Sequence, residues 1–302
     1  MKKFILKIIL FFCIVVVVDL GVGAVGDYLQ AHAKGGRTRT LNDFVMKDKH
    51  DVIVFGSSRA HHHYDTPFLS DTLGLDVYNA GYDGNGVVLA YGLLEMILDR
   101  YKPKMIVYDV APSFDVYLHA ADNNHRRYIE YLKPYYKVDE VGKVIKEVSV
   151  MDWYMVHSGM YCYNTSITGK LIENLRNIPM KKKGYDPMFG VYKGNANDID
   201  DGIEVIDPFK LMYIRKFIHL TKKEGIPLVI VASPSYGRTS SERNQPVFDI
   251  CAAEGVECLD YYADSTFMHH KEWFKDSSHL NSVGARMFSK IIAEEIKSRI
   301  KE

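Results

Sequence analysis

The chain has no surplus of charge of either sign. Lys and Arg together number 38, Asp and Glu number 38, and the formal net charge at pH 7 is zero. It therefore carries neither the basic excess of a nucleic-acid surface nor the acidic excess of a disordered chain. Cysteine is scarce, at four residues, and no Cys-x-x-Cys pair is present for redox or zinc chemistry. No Leu-x-Gly-Cys surrounds Cys13, which excludes a lipoprotein-type anchor. No Gly-x-x-x-x-Gly-Lys loop occurs, so a phosphate-binding reading lacks its usual motif. Cys251 and Cys258 are placed either to pair in an oxidising compartment or to remain buried thiols. What is present is ordinary for a globular protein: 47% hydrophobic and 25% charged residues, with 21 tyrosines, in 302 positions. That length holds one large domain with an insertion, or two domains.

The long apolar run is N-terminal. Lys2 and Lys3 precede Phe4–Val18, apolar except for Lys7, and Leu20–Gly26 continues beyond Asp19. As a helix, residues 4–26 extend about 34 Å, enough to span a bilayer. The reading is an uncleaved signal-anchor over 1–26, with a signal peptide cleaved near Ala31-His-Ala33 as its rival. Asp19 is costly within such a span unless it sits near the far interface. Residues 27–49 read as a polar, basic linker.

From residue 50 onward short apolar runs alternate with amphipathic stretches. Strands are expected over Asp51–Phe55, Leu75–Asn79, Lys104–Val110, Pro227–Ala232 and Val256–Asp260. Helices are expected over Val87–Asp99, Pro208–Glu224, Arg243–Glu254 and Arg286–Ile300. Continuous apolar strands separated by helices specify an α/β protein with a parallel sheet covered on both faces. The alternation lapses between about 119 and 206. That segment reads as a helical and loop insertion, with helices over Val138–Val150 and Ile167–Asn177, lying over the site as a partial lid.

Two stretches carry chemistry. Asp51–Ala60 reads Asp-Val-Ile-Val-Phe-Gly-Ser-Ser-Arg-Ala, a strand ending at a Gly-Ser-Ser turn before a helix. Such a turn sets a hydroxyl and free backbone N–H groups at the carboxyl edge of a sheet, where open α/β sheets place their sites. The plain alternative is that Ser57 or Ser58 only caps the helix. Far downstream, Lys275–Ala285 reads Lys-Asp-Ser-Ser-His-Leu-Asn-Ser-Val-Gly-Ala. Asp276 and His279 are three residues apart, so on a tight turn the carboxylate can orient the imidazole. A serine needs such an oriented base to become a nucleophile. His61, His62 and His63 follow the serines, but successive helical residues point in different directions. No metal site is assigned to them, and they read as a solvated or rim-packed face.

On these residues the chain resembles the SGNH (GDSL-type) hydrolases. Within them it is similar to the membrane-tethered branch with Gly-Ser-Ser in the first block, which includes polysaccharide O-acetyltransferases and teichoic-acid D-alanylation proteins. The resemblance covers about 50–118 and 206–300. It implies a flavodoxin-like three-layer fold with about five parallel strands in the order 2-1-3-4-5, comprising residues 50–302 with the insertion at about 119–206. It maps the nucleophile to Ser58 and the acid and base to Asp276 and His279. The second block maps to Asn79-Ala-Gly-Tyr-Asp-Gly84, with Gly84 as an oxyanion N–H donor beside that of Ser58, and Gly81 as the second choice. The third block departs from the pattern. A Gly-x-Asn-Asp is expected after Met105–Val110, and the chain has Ala111-Pro112-Ser113-Phe114-Asp115. Ser113 is the candidate substitute for the missing asparagine.

The resulting expectation is a serine-dependent acyl-ester hydrolase or O-acyltransferase with no cofactor, anchored in a membrane with its catalytic domain outside the cytoplasm. Its substrate is an acylated carbohydrate of the cell envelope or another ester, with a membrane-bound acyl-transfer partner and no nucleic acid. Two other classes stay open: a catalytically weak binding or assembly protein of the same fold, and a phosphate-binding α/β domain.

Overall fold

A computed structural model describes residues 1–119, 122, 124–176, 178–195 and 205–300. Part of the insertion read over about 119–206 therefore lies outside the described residues. The chain opens with α1 (Lys2–Ala31) and α2 (Gly36–Met46). Next come β1 (Val52–Gly56), α3 (Ser58–His63), α4 (Thr66–Leu73), β2 (Val77–Gly81), α5 (Val87–Leu98), β3 (Met105–Asp109) and α6 (Pro112–Asp115). Four helices follow, α7 (Asp139–Val148), α8 (Val150–Met155), α9 (Gly159–Tyr163) and α10 (Ile167–Leu175). The chain then runs through α11 (Pro208–Lys223), β4 (Leu228–Ala232), α12 (Gln245–Glu254), β5 (Glu257–Asp260), α13 (Ser265–Met268) and α14 (Ser282–Arg299). These elements form two compact units, one of residues 1–47 and 124–180, the other of 48–123 and 181–302.

The second unit holds a five-stranded parallel sheet in the order β2-β1-β3-β4-β5. Strands β1, β2 and β3 read Val-Ile-Val-Phe-Gly, Val-Tyr-Asn-Ala-Gly and Met-Ile-Val-Tyr-Asp, and every residue of them is buried. Strands covered on both faces need unbroken apolar runs of this kind. One face packs Val52, Val54, Met105, Val107 and Val229 with Phe288, Ile292 and Ile296 of α14. The other turns Phe55 and Tyr108 onto Phe217 of α11, with ring centroids 5.7 and 5.1 Å apart. Each such buried side chain contributes roughly 1.5–3 kcal/mol by leaving water. The edge strand β5 is half-exposed.

The first unit differs from a span-plus-linker arrangement. Helix α1 runs on to Ala31, and residues 36–46 are helical, with Leu41, Phe44 and Val45 buried. Asn42 of α2 ties the two helices to the insertion, because its Oδ1 accepts from Gln30 Nε2 at 2.9 Å and from the Tyr135 hydroxyl at 2.6 Å. The insertion itself divides between the units. Residues 124–180 belong with α1 and α2, while Lys181 onward belongs with the sheet. Cys251 and Cys258 are free thiols. A hydrogen bond from Cys251, with burial, pushes the Cys258 thiol well above the ordinary range.

The loops after β2 and β3 are joined by one carboxylate. Asp115 accepts from Val87 N at 2.8 Å, Ala111 N at 2.7 Å and the Tyr108 hydroxyl at 2.7 Å. Gly86 has no side chain because a Cβ there would strike Asp115 Oδ1 and the Phe114 carbonyl. Burial pushes the Asp115 carboxyl up to about 6 against the pull of its donors and of Lys210. A pKa raised on folding means the folded state holds the proton more tightly than the unfolded chain. Its stabilising effect is full below the ordinary carboxyl value of ~3.9 and is lost as pH rises through about 6. Asp115→Ala leaves three buried donors without an acceptor and is expected to cost roughly 3–5 kcal/mol in urea unfolding. Asp115→Asn lacks the titration, so the stability gap between wild type and that variant is expected to be wider at pH 5 than at pH 8. A gap that does not change with pH would remove this role.

Candidate active site

Ser57 and Ser58 end β1 with different tasks. Gly56 has φ +144°, and a Cβ there would strike the Asp109 carbonyl and Ala60. Only glycine makes this exit from the strand. Ser57 is fully buried and is the N-cap of α3, its Oγ accepting from Arg59 N at 3.4 Å. Ser58, one residue further, is half-buried, and its hydroxyl points to a different partner. His279 Nε2 lies 2.8 Å from Ser58 Oγ. The other ring nitrogen, Nδ1, lies 2.9 and 3.0 Å from the two oxygens of Asp276. The three residues that the sequence singled out across 221 positions are thus brought into one hydrogen-bonded row.

The turn that carries Asp276 and His279 is built by the carboxylate itself. Asp276 Oδ1 accepts from Ser278 N at 2.8 Å and His279 N at 2.9 Å. Burial raises the Asp276 carboxyl, but the His279 hydrogen bond and charge and the two N–H groups outweigh it and hold it below the ordinary carboxylate range. Asp276 therefore stays ionised, as a group that orients an imidazole must.

Beneath this row lies a buried chain that the sequence did not reveal. Leu280 N donates to His63 Nε2 at 3.0 Å, and His63 Nδ1 donates to Ser233 Oγ at 2.9 Å. Ser233 donates in turn to Asp109 Oδ2 at 2.6 Å and also receives Arg59 at 3.1 and 3.2 Å. The chain fixes the peptide that follows His279. Complete burial, helped by the Arg59 charge, drives the His63 ring well below the ordinary histidine range, so the ring is neutral. Burial pushes Asp109 up to about 6 despite Arg59 and Ser233.

The three histidines are not a solvated face, since His62 and His63 are buried. His63 takes the chain just described. His61 and His62, expected to diverge, both reach Asp83 Oδ1, at 2.8 and 3.2 Å. The second nitrogen of His62 contacts the Asp186 carbonyl at 2.6 Å. Among the described residues, His61, His62 and Asp186 place one potential ligand atom each within 4.8 Å of one another, the spacing a metal would need. The same contacts are met by a protonated His62, which donates from both nitrogens. Burial pushes the His62 ring down, but Asp83 and the Asp186 carbonyl outweigh it and raise the ring above the ordinary histidine value. The rings of His62 and His279 stand edge to face at 5.6 Å.

Of the expected oxyanion donors, Gly84 lies in the loop after β2 with φ +68°. That loop is pinned to the end of β1 by Tyr82 N, which donates to the Gly56 carbonyl at 3.1 Å. Gly81 lies against the middle of α3, where a Cβ would strike His61 N and Ala60. Ser113 stands in the first turn of α6, after β3, where its carbonyl accepts Lys210 Nζ at 3.1 Å. The neighbouring Asn85, which the sequence reading passed over, is buried. Its Nδ2 donates to the Asp83 carbonyl at 3.0 Å, and its Oδ1 meets no donor among the described residues. Part of the insertion borders the row of three. Asn281 Nδ2 donates to the Gly190 carbonyl at 2.9 Å, Ser282 N to Met188 at 2.7 Å, and Asp186 N to His61 at 3.2 Å. A cavity of about 350 Å³ elsewhere, in the first unit beside Arg37, Lys170 and Glu173, contains none of these residues.

No protein-family model matches the chain, and no curated protein matches it either.

The His62–Asp83 pair yields a titration. Because the His62 pKa is raised on folding, its stabilising effect is full below the ordinary value of ~6.5 and is lost as pH rises through the raised value. In the detergent-solubilised chain, the His62 ring resonances are expected to titrate above ~6.5. In Asp83→Asn the midpoint is expected to fall, since burial then acts with less opposition. An unchanged midpoint in Asp83→Asn would rule out the ion pair.

Proposed function

We propose that the protein is a membrane-anchored, serine-dependent acyl-ester hydrolase or O-acyltransferase that works outside the cytoplasm on acylated cell-envelope carbohydrate. The observation that carries this reading is the Ser58–His279–Asp276 row, with Nε2 at 2.8 Å from Oγ and the ionised carboxylate on Nδ1. In such a row His279 takes the Ser58 proton as Oγ attacks an ester carbonyl, and Asp276 stabilises the imidazolium that forms. The N–H of Ser58, at the start of α3, is one that the helix leaves without a partner. With the N–H of Gly84 it serves as donor to the developing oxyanion. His279 returns its proton to the leaving alkoxide. The acyl-enzyme is then resolved by water, giving a hydrolase, or by a sugar hydroxyl, giving a transferase. The same base activates either one. Helix α1, long and apolar enough to cross a membrane, supports the anchor. The short basic start at Lys2 and Lys3 and the resemblance to tethered SGNH proteins favour the outer side. A membrane tether suits a polymeric substrate and a membrane-bound acyl-transfer partner.

One observation favours the weaker reading of a binding or assembly protein. The segment after β3 supplies no asparagine. Its Asp115 is consumed by structural hydrogen bonds, and the Ser113 carbonyl is held by Lys210. Loss of one oxyanion donor typically lowers turnover by ~10²–10³. The phosphate-binding alternative gives Asp276 and His279 no task.

A fluorophosphonate ester probe tests the assignment. Wild type is expected to be labelled, Ser58→Ala not, and Ser57→Ala still, at a stability cost of about 1 kcal/mol for its lost cap. Labelling lost in Ser57→Ala and kept in Ser58→Ala would overturn it, and an unlabelled wild type would favour the binding protein. Turnover of an acetyl ester by Asp276→Asn is expected to drop by on the order of 10²–10⁴ without loss of the folded state. Full activity in that variant would mean His279 is not the base.

A further inference from the structure

Helix α1 changes character at Asp19. Before it, Phe4–Val18 is bare, with no residue buried. From Asp19 on, one side of the helix is occupied by α9. Asp19 accepts from Ser158 Oγ at 2.6 Å, Met160 N at 2.8 Å and Gly159 N at 3.2 Å, so a carboxylate of α1 holds the start of α9. One turn further, Gly23 and Gly159 meet backbone to backbone, and Gly26 lies under the Tyr163 ring. The Tyr163 hydroxyl donates to Asp27 at 2.6 Å. Small residues that let backbones approach are the usual means of close helix packing beside a membrane.

Helix α8, joined to α9 by three residues, is turned the wrong way for water. Its charged residue, Asp152, is 1% exposed and is bound by Arg126 and Tyr161. Its apolar residues face out: Val150 at 55% exposure, Met151 at 62%, Tyr154 at 68% and Met155 at 39%, followed on α9 by Met160 at 48%. Resting on the reading of α1 as a membrane span, the depth of this patch follows. Lys3 to Asp19 is 16 residues, about 24 Å of helix, against an apolar core of about 30 Å. Asp19 therefore lies just inside the far edge of the core, where a carboxylate is tolerated only with its hydrogen bonds met. The donors that meet them are the first residues of α9.

We propose that the segment Val150–Tyr163 is a second membrane contact, with Val150, Met151, Tyr154, Met155 and Met160 seated in the lipid interface beside α1. Lipid is assigned as the occupant because the patch leads directly into α9, whose start is held on the span by Asp19. An interfacial helix presents an apolar side with aromatic residues to the acyl-chain boundary in this way. The contact would hold the first unit against the bilayer instead of leaving it on a free tether.

Tryptophan fluorescence tests this in the full chain, whose only tryptophans are Trp153 and Trp273. Both are replaced by Phe, and one tryptophan is returned as Tyr154→Trp, Met151→Trp or, as a span reporter, Phe12→Trp. Each protein is reconstituted into phosphatidylcholine vesicles brominated at shallow or deep acyl positions. Tryptophans at 151 and 154 are expected to emit at short wavelength, with stronger quenching by shallow bromine. At 12, deep bromine is expected to quench more. If 12 is quenched while 151 and 154 emit as in water and respond to acrylamide but not to bromolipid, the span stands and the second contact is overturned. If 12 itself is not quenched, the span reading fails and takes this inference with it. Should either return variant not fold, Val150→Trp or Met160→Trp, at positions 55% and 48% exposed, gives the same readout.

Discussion

The in-register ending of the three adjacent strands β2, β1 and β3 is the constraint on which the candidate site depends. Gly56, Gly81 and Asp109 stand side by side at the carboxyl edge. Parallel pairing brings all three chains out on the same side, and the order 2-1-3 sets the loop after β1 between the loops after β2 and β3. That is the position at which ligands enter open α/β sheets. Two of the three residues are glycines because a Cβ at either would strike backbone of a neighbouring segment. The Ser57–Ser58 turn can sit there only because both neighbours give way to it.

Carboxylates do the fixing around this edge, and they differ in what they hold. Asp115 gathers two backbone N–H groups and one phenol, all structural. Asp109 ends the buried chain through Ser233 and His63 to the peptide after His279. Asp276 holds two N–H groups of its own turn and also one ring nitrogen. Only the last is half-exposed and kept ionised beside a titratable partner; the other two are pushed up to about 6 by burial. That contrast separates an orienting carboxylate from structural ones more clearly than residue type does.

The sheet was largely legible from sequence, because a parallel strand covered on both faces must be an unbroken apolar run. The five runs fall within two residues of the strands observed. The Asp276–His279 pairing was legible as well, since three residues on a tight turn leave little freedom. What escaped depended on distance along the chain. His63 finds Leu280 across 217 residues, Asp115 finds Val87 across 28, and Asp19 finds Met160 across 141. Nothing in the local pattern around any of them names its partner. The helix at 36–46 was unreadable for a related reason. Gly-Arg-Thr-Arg-Thr-Leu-Asn-Asp-Phe-Val-Met is polar enough to read as a linker, and its Leu41, Phe44 and Val45 become a core only once other segments cover them.

Asp19 shows how the same residue reverses meaning once its partner is known. In the sequence it is an interruption, a charge in an apolar run that is costly unless it sits near the far interface. In the fold it is the point at which the run acquires a partner: below it α1 is bare, and above it α9 is seated. A carboxylate in low dielectric is stable only when donors surround it, and three donors from one helix start provide this without a counter-charge. On the proposed membrane contact, the interruption and the apolar surface of α8 have one explanation. Exposed Met151 and Tyr154 are unfavourable in water and favourable at a lipid boundary. The buried Asp152 between them shows that the helix is amphipathic toward its own unit and not toward solvent.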